Sequence, residues 1–181
     1  GLSAAPVSSF GFSPDAEMQI LGYRSLSLER CRVRVSWHGE AAEFELPTIG
    51  RHQALNAAAA ALVAVHLGVS LADACAALTD KVDLPPMRLE VQPFGRGQVI
   101  MDAYNASPDS MVAALKTLAE VPATRRLAVL GEMKELGDYA ERGHRWVGQV
   151  LAGSQVDDVL FYGESTEWMR AEAIQHGFDA S

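Results

Sequence analysis

Val99–Met111 reads VIMDAYNASPDSM: an apolar run that ends on a carboxylate and passes through a short polar loop into Ser107-Pro108. The β-branched start favours a buried strand over Val99–Asp102. Serine followed by proline marks a helix start, because proline at the first helical position gives up only an N–H that has no partner there. That helix is expected to run to about Glu120. The same unit recurs twice downstream, as strand Leu127–Leu130 with a helix around Ala140–Leu151, and strand Val156–Tyr162 with helix Thr166–Gln175. Strands alternating with helices at this spacing predict an α/β fold with a parallel, doubly wound sheet and right-handed crossovers.

Upstream the pattern differs. Residues 20–46 read as β-structure. Cys31–Trp37 (CRVRVSW) alternates, so Val33 and Val35 face one side and Arg32 and Arg34 the other; His38-Gly39 supplies a turn, and Ala42–Leu46 returns as a second strand. This is a hairpin with one wet face, stopped by Pro47. Arg51–Leu67 (RHQALNAAAAALVAVHL) is a strong helix former, apolar on most faces and therefore expected to be largely buried, with Gly68 at its C-terminal cap. Ser70 and Asp73 have the spacing of a capping box opening a second helix, Leu71–Thr79. Asp83-Leu84-Pro85-Pro86 then breaks the pattern, so the expected division is 1–84 and 85–181.

The chain has 181 residues, 49% of them apolar and 21% charged, enough to bury a core and unlike a disordered or collagenous sequence. A net charge of −8 repels phosphate backbones and argues against general nucleic-acid binding. Cys31 and Cys75 make no metal-binding spacing, and two lone thiols suit a reducing compartment. No apolar run is long enough to insert in a membrane, and Gly1–Phe10 lacks the basic start of a signal peptide. A soluble, cytoplasmic protein is expected.

In open parallel sheets ligands bind beyond the carboxyl ends of the strands. Those ends here are Asp102–Asn105, Gly131–Met133 and Gly163–Ser165. Asp102 is a carboxylate placed to accept from sugar hydroxyls, or else a local turn former. Arg88, just past the Pro-Pro break, can clamp a phosphate or carboxylate bidentately, or pair with Glu90. His52 and Asn56 are four apart on one helix face near an N-terminus, where polar or anionic ligands are favoured, though capping serves equally. Glu132, Glu135 and Asp138 suit either a Mg²⁺ loop or a solvated acidic one, and His144 is a lone histidine of structural type. Gly95-Arg96-Gly97 reads as a hairpin turn, without the helix context of a dinucleotide site. No Ser-His-Asp order, GxSxG, HExxH or GxxxxGK[ST] occurs, and the lysines are only Lys81, Lys116 and Lys134.

Four stretches, LPTIGRHQALNAAAAALVAV at 46–65, MRLE at 87–90, MDAYNASPDSMVAAL at 101–115 and VLGEMKELGDYAERGHRWVG at 129–148, together resemble the Mur ligases. The resemblance spans nearly the whole chain and is weakest over residues 1–30. It implies that residues 1–84 are the β-hairpin and helical tail of a central ATPase domain, and that 85–181 are most of a C-terminal Rossmann-like domain. The N-terminal domain, the P-loop and the lysine that family members carbamylate would lie elsewhere, so the chain is expected to be a fragment, inactive alone. Within the family it is most similar to the branch that uses ATP and Mg²⁺ to activate the carboxylate of UDP-MurNAc-tripeptide as an acyl phosphate and joins it to D-alanyl-D-alanine. The alternatives are a non-catalytic nucleotide- or peptide-binding module, or a sister ligase adding another amino acid. Carried over, Asn56 lies beside the adenine, with Gln53 standing where the family has a further asparagine. Arg88 and Asp102 meet the ribose–phosphate part of ATP. Tyr104, Asn105, Asp109 and Ser165 surround the entry of the acceptor dipeptide. The resemblance assigns no catalytic residue and no metal ligand to this chain.

Overall fold

The computed structural model describes residues 6–80 and 85–179. Lys81 and the Asp83-Leu84 half of the expected break lie outside the described residues. Contacts divide the chain into two compact units, Gly1–Ile100 and Met101–Ser181.

The first unit carries a four-stranded sheet in the order β1 (Phe10–Gly11), β2 (Met18–Ser25), β3 (Cys31–Trp37) and β4 (Glu40–Leu46). Strands β2, β3 and β4 are antiparallel neighbours, while the two-residue β1 runs parallel to β2. His38 and Gly39 both have positive φ, 48° and 85°, which gives the two-residue turn the twist a right-handed hairpin needs. Cys31, Val33 and Val35 are fully buried and Arg34 is exposed, as alternation requires. The buried face packs on α1 (Arg51–His66), whose alanines 54, 58 and 61 let helix and sheet approach closely. Helix α1 is less enclosed than its composition suggested: Asn56, Ala60 and Val63 are exposed, because a helix packed on a single sheet hides one side only. Gly68, at φ 90°, ends it, with its N–H donated back to the Val65 carbonyl and that of Val69 to Ala64. Helix α2 (Leu71–Asp80) opens on Ser70, whose hydroxyl accepts from the Asp73 N–H at 3.1 Å and donates to its carboxylate at 2.7 Å. Both cysteines are unpaired and buried, and burial pushes each thiol up to about 11, which leaves them protonated and inert at neutral pH.

Strands β5 (Glu90–Phe94) and β6 (Gly97–Met101) form their own two-stranded sheet, joined by Gly95-Arg96, the hairpin turn read from the sequence. The strand expected over Val99–Asp102 therefore pairs with β5, and not with the downstream strands, because the short turn makes the local partner the cheapest to reach. Most of this hairpin falls in the first compact unit, whereas the compositional break lies some fifteen residues earlier.

In the second unit β7 (Leu127–Gly131) and β8 (Asp158–Tyr162) are parallel, in register from Leu127↔Asp158 to Gly131↔Tyr162. Helices α3 (Pro108–Glu120), α4 (Ala140–Ala152) and α5 (Thr166–Gln175) share one core with Ala128 and Leu130. The opposite face, with Leu127, Val129, Leu160 and Tyr162, is exposed, so among the described residues the sheet is covered on one side.

Candidate functional site

The carboxyl ends of β7 and β8 lie side by side. The Glu132 N–H donates to the Tyr162 carbonyl at 3.0 Å, extending the ladder one residue past the strand. The Glu132 carboxylate accepts from Lys134 Nζ and, at 3.5 Å, from the Ser165 N–H at the start of α5. Gly163 makes room for that carboxylate: its φ is 104°, and a Cβ there would lie 2.7 Å from Glu132 Cγ and Cδ. The two loops are thus tied by one acid, which spends Glu132 on structure. Lys134, with a smaller contribution from the Ser165 N–H, holds the Glu132 carboxyl below its ordinary value of 4.5. These contacts stabilise the fold fully above about pH 4.5 and lose that contribution as pH falls through the lowered value. Lys134→Met is expected to move the Glu132 carboxyl midpoint upward in a ¹³C-detected NMR titration; an unmoved midpoint would remove the lysine as the cause.

His144 is fully buried on α4 and both ring nitrogens are used. Its Nε2 accepts from the Met133 N–H at 3.0 Å, and Nδ1 lies 2.7 Å from the Ala140 carbonyl. A backbone N–H only donates and a carbonyl only accepts, so the proton sits on Nδ1. The Trp168 ring meets His144 nearly edge-on at 5.8 Å. This histidine anchors the loop between β7 and α4, in which Glu135 and Gly137 have φ of 62° and 52°.

Tyr104, Asn105 and Asp109 lie on the loop and first turn leading into α3, and all three are exposed. Asn105 Oδ1 accepts from the Ala106 N–H at 2.9 Å. Ser107 accepts from the Ser110 N–H at 3.3 Å while the Ser110 hydroxyl accepts from the Ser107 N–H at 2.9 Å, so the helix start is doubly closed. Asp109 sits in the first turn, where its negative charge is favoured by the positive end of the helix dipole. Pro108 packs against Gly143 of α4: a Cβ on Gly143 would meet Pro108 Cγ at 2.9 Å and Tyr139 Cε1 at 3.2 Å. The fold thus brings the 104–109 loop against the start of α4, and Ser165 against Glu132. The expected Asp102 is exposed one residue beyond β6.

In the first unit Asn56 is exposed on the second turn of α1 and donates to Gln53 Oε1 at 3.2 Å. Arg88 is exposed and lines a cleft of about 350 Å³ with Glu29, Pro47, Pro85, Pro86 and Leu89. Its neighbours Met87 and Leu89 have φ of 59° and 52°, a conformation costly for side chains of this size, fixed on one side by burial of Leu89. Glu90 accepts from the Met87 N–H at 3.0 Å and from Gln92 Nε2 at 2.8 Å, and these bonds, the first foremost, hold its carboxyl below the ordinary range. Asn56 does not border the Arg88 cleft. Among the described residues no three His, Cys, Asp or Glu side chains are grouped to hold a metal ion, and no helix is long and apolar enough to cross a membrane.

Sequence reasoning passed over Gly143 and Gly148. Both carried a signal: glycine inside a helix costs about 1 kcal/mol against alanine, so each needed a packing reason.

The carboxyl ends of β7 and β8, with polar loops beside a capped helix start, stand where open α/β domains place their ligands, and the fold is of that α/β class. Residues 87–181 match the family described as Mur ligase, glutamate ligase domain, and the chain belongs to the Mur ligases. It is 40% identical over 156 residues to the UDP-N-acetylmuramoyl-tripeptide–D-alanyl-D-alanine ligase of Mycobacterium tuberculosis (strain ATCC 25618 / H37Rv), covering 83% of this chain and 30% of that protein. The Bacillus subtilis (strain 168) ligase of the same name is 35% identical over 135 residues, 74% of this chain and 29% of its own. Among solved structures, MurF from Acinetobacter baumannii superposes with a TM-score of 0.81 at 27% identity, covering 91% of this chain and 35% of that one. MurF ligase from Thermotoga maritima in complex with ADP shares the fold, with a TM-score of 0.74 at 24% identity, covering 88% of this chain and 36% of its own. The chain thus spans about 30% of the length of the curated relatives named here.

Proposed function

We propose that this chain is the part of an ATP-dependent, cytoplasmic ligase of peptidoglycan precursor synthesis that closes on the nucleotide and admits the acceptor, D-alanyl-D-alanine being joined to UDP-MurNAc-tripeptide. The observation that carries the reading is the 40% identity over 156 residues with a ligase of that name. In this reading residues 1–84 end the central ATPase domain and 85–181 belong to the C-terminal domain. ATP supplies the phosphoryl group that activates the substrate carboxylate, and the Mg²⁺ that accompanies it takes its protein ligands mainly from other parts of a longer enzyme.

The residues present suit part of a nucleotide. Asn56 offers a planar amide, with donors and an acceptor, to a base edge; Arg88 offers a guanidinium fork at a cleft; Asp102 offers a carboxylate to ribose hydroxyls. Tyr104, Asn105, Asp109 and Ser165 border the path of the dipeptide. The sequence holds no GxxxxGK[ST] phosphate loop, so the 181-residue chain is expected to form no amide product by itself.

The site assignment is tested in a chimera in which the aligned segment of the M. tuberculosis ligase is replaced by this chain. Arg88→Ala and Asp102→Ala are each expected to raise KM for ATP by about tenfold or more, the value of a charge-assisted hydrogen bond, with KM for D-alanyl-D-alanine little changed. Tyr104→Ala should do the reverse. Unchanged KM for ATP in both variants would remove Arg88 and Asp102 from the nucleotide site.

A further inference from the structure

The wet face of the first unit's sheet concentrates arginine in a chain whose net charge is −8. Two cross-strand rows build it: Gly22, Arg34 and Glu43, then Arg24, Arg32 and Glu45. Arg32 takes both glutamates, Glu45 at 2.7 Å and Glu43 at 3.5 Å, and Arg30 adds a second bond to Glu45 at 3.1 Å. Arg24 and Arg34, both exposed, have no carboxylate partner among the described residues. They flank a shallow cleft of about 280 Å³, also bordered by Leu21 and Tyr23. A bulge at Leu21 shifts the register of β2 there. Gly22 leaves the floor open: a Cβ at that position would meet no atom within 4 Å.

We infer that this cleft, which the ligase reading does not use, binds a phosphate-bearing small anion between Arg24 and Arg34. Two guanidinium forks on adjacent strands, on a diagonal about 7–8 Å apart at the backbone because Arg24 stands opposite Arg32 and Arg34 opposite Gly22, approach from different directions. A tetrahedral phosphoryl dianion presents oxygens to both, whereas a single carboxylate has two coplanar oxygens that one fork already satisfies. The bare glycine floor lets the anion approach the sheet, and Glu43 on the rim opposes it and limits affinity.

The test is a titration of the 181-residue chain at neutral pH and low ionic strength with sodium diphosphate and with orthophosphate, followed by ¹H–¹⁵N NMR, with succinate and a glutamate-rich peptide as comparators. Diphosphate is expected to shift the Gly22, Arg24 and Arg34 amides saturably, about tenfold tighter than succinate or orthophosphate. Arg24→Gln with Arg34→Gln should weaken diphosphate at least about tenfold, Gly22→Leu should fill the floor with a similar loss, and Glu43→Gln should tighten binding severalfold. Arg125→Gln, in the other unit, should change nothing. If the double variant loses its spectral dispersion, Gly22→Leu and Glu43→Gln decide the matter. Shifts reproduced by sodium chloride at matched ionic strength, unchanged affinity in folded variants, or tighter binding of the peptide or succinate than of diphosphate would each overturn the inference.

Discussion

His144→Ala is expected to destabilise the Met101–Ser181 unit by about 4 kcal/mol, the largest effect of any single side-chain truncation proposed for this chain. The imidazole has no exposed surface. Its loss leaves the buried Met133 N–H without its acceptor, at about 1–3 kcal/mol, while the part-buried Ala140 carbonyl loses its side-chain donor and keeps its place in the first turn of α4. It also opens a cavity beside Trp168. Hydrogen exchange resolved by unit is the fitting measurement, since a chain of two compact units need not unfold in one step. The Leu130 and Leu151 amides should exchange faster by several hundredfold or more, about 1.4 kcal/mol per tenfold, while those of Val33 and Val35 stay protected. Equal protection in the wild type and the variant would show that the histidine carries no such weight.

Gly148→Ala is the second large effect, and two opposed terms decide its sign. Alanine is the better helix former by about 1 kcal/mol. Yet its Cβ would sit 2.2 Å from the Met169 carbonyl oxygen and 3.0 Å from Glu172 Cβ, where α4 and α5 touch. The nearest obstacle is backbone, so no rotamer change relieves it and the helices must separate. A steric cost of about 3 kcal/mol or more outweighs the propensity gain, for a net loss of about 2 kcal/mol. Urea titration of the two variants measures this, with Gly153→Ala, whose Cβ would meet only the Val150 carbonyl at 3.8 Å, as the near-neutral control. A stabilised Gly148→Ala would mean that the helices can part without cost.

What was legible in the sequence depended on range. The His38-Gly39 turn, the Ser107-Pro108 helix start, the Ser70/Asp73 cap and the alternation around Val33 and Val35 are written within a few residues, and each is present. So is the Gly95-Arg96-Gly97 hairpin turn, but that β6 pairs with β5 alone and takes no place beside β7 and β8 was not legible, because a strand can pair on both of its edges. Only the partner decides, and the partner is a matter of tertiary geometry. The exposed side of α1 was hidden for a related reason: a helix rich in alanine has too little contrast between faces to show which one is buried. In the candidate site, the residues that stand at strand ends were readable from position alone. The supports behind them were not. His144 reaches Met133 across eleven residues, and Glu132 reaches Ser165 across thirty-three, spans over which no local pattern operates. Those supports have a functional meaning in the ligase reading, since loops that admit a substrate must be held while their tips stay exposed.

The measurement that tests the ligase reading most directly is product formation by the chimera carrying this chain in place of the aligned segment of the M. tuberculosis ligase. With ATP and UDP-MurNAc-tripeptide present, phosphate release and amide product are expected to depend on D-alanyl-D-alanine, and the 181-residue chain alone should form neither. A folded chimera that forms product only with a different amino acid, or isolated residues 1–181 that ligate without any added protein, would contradict it.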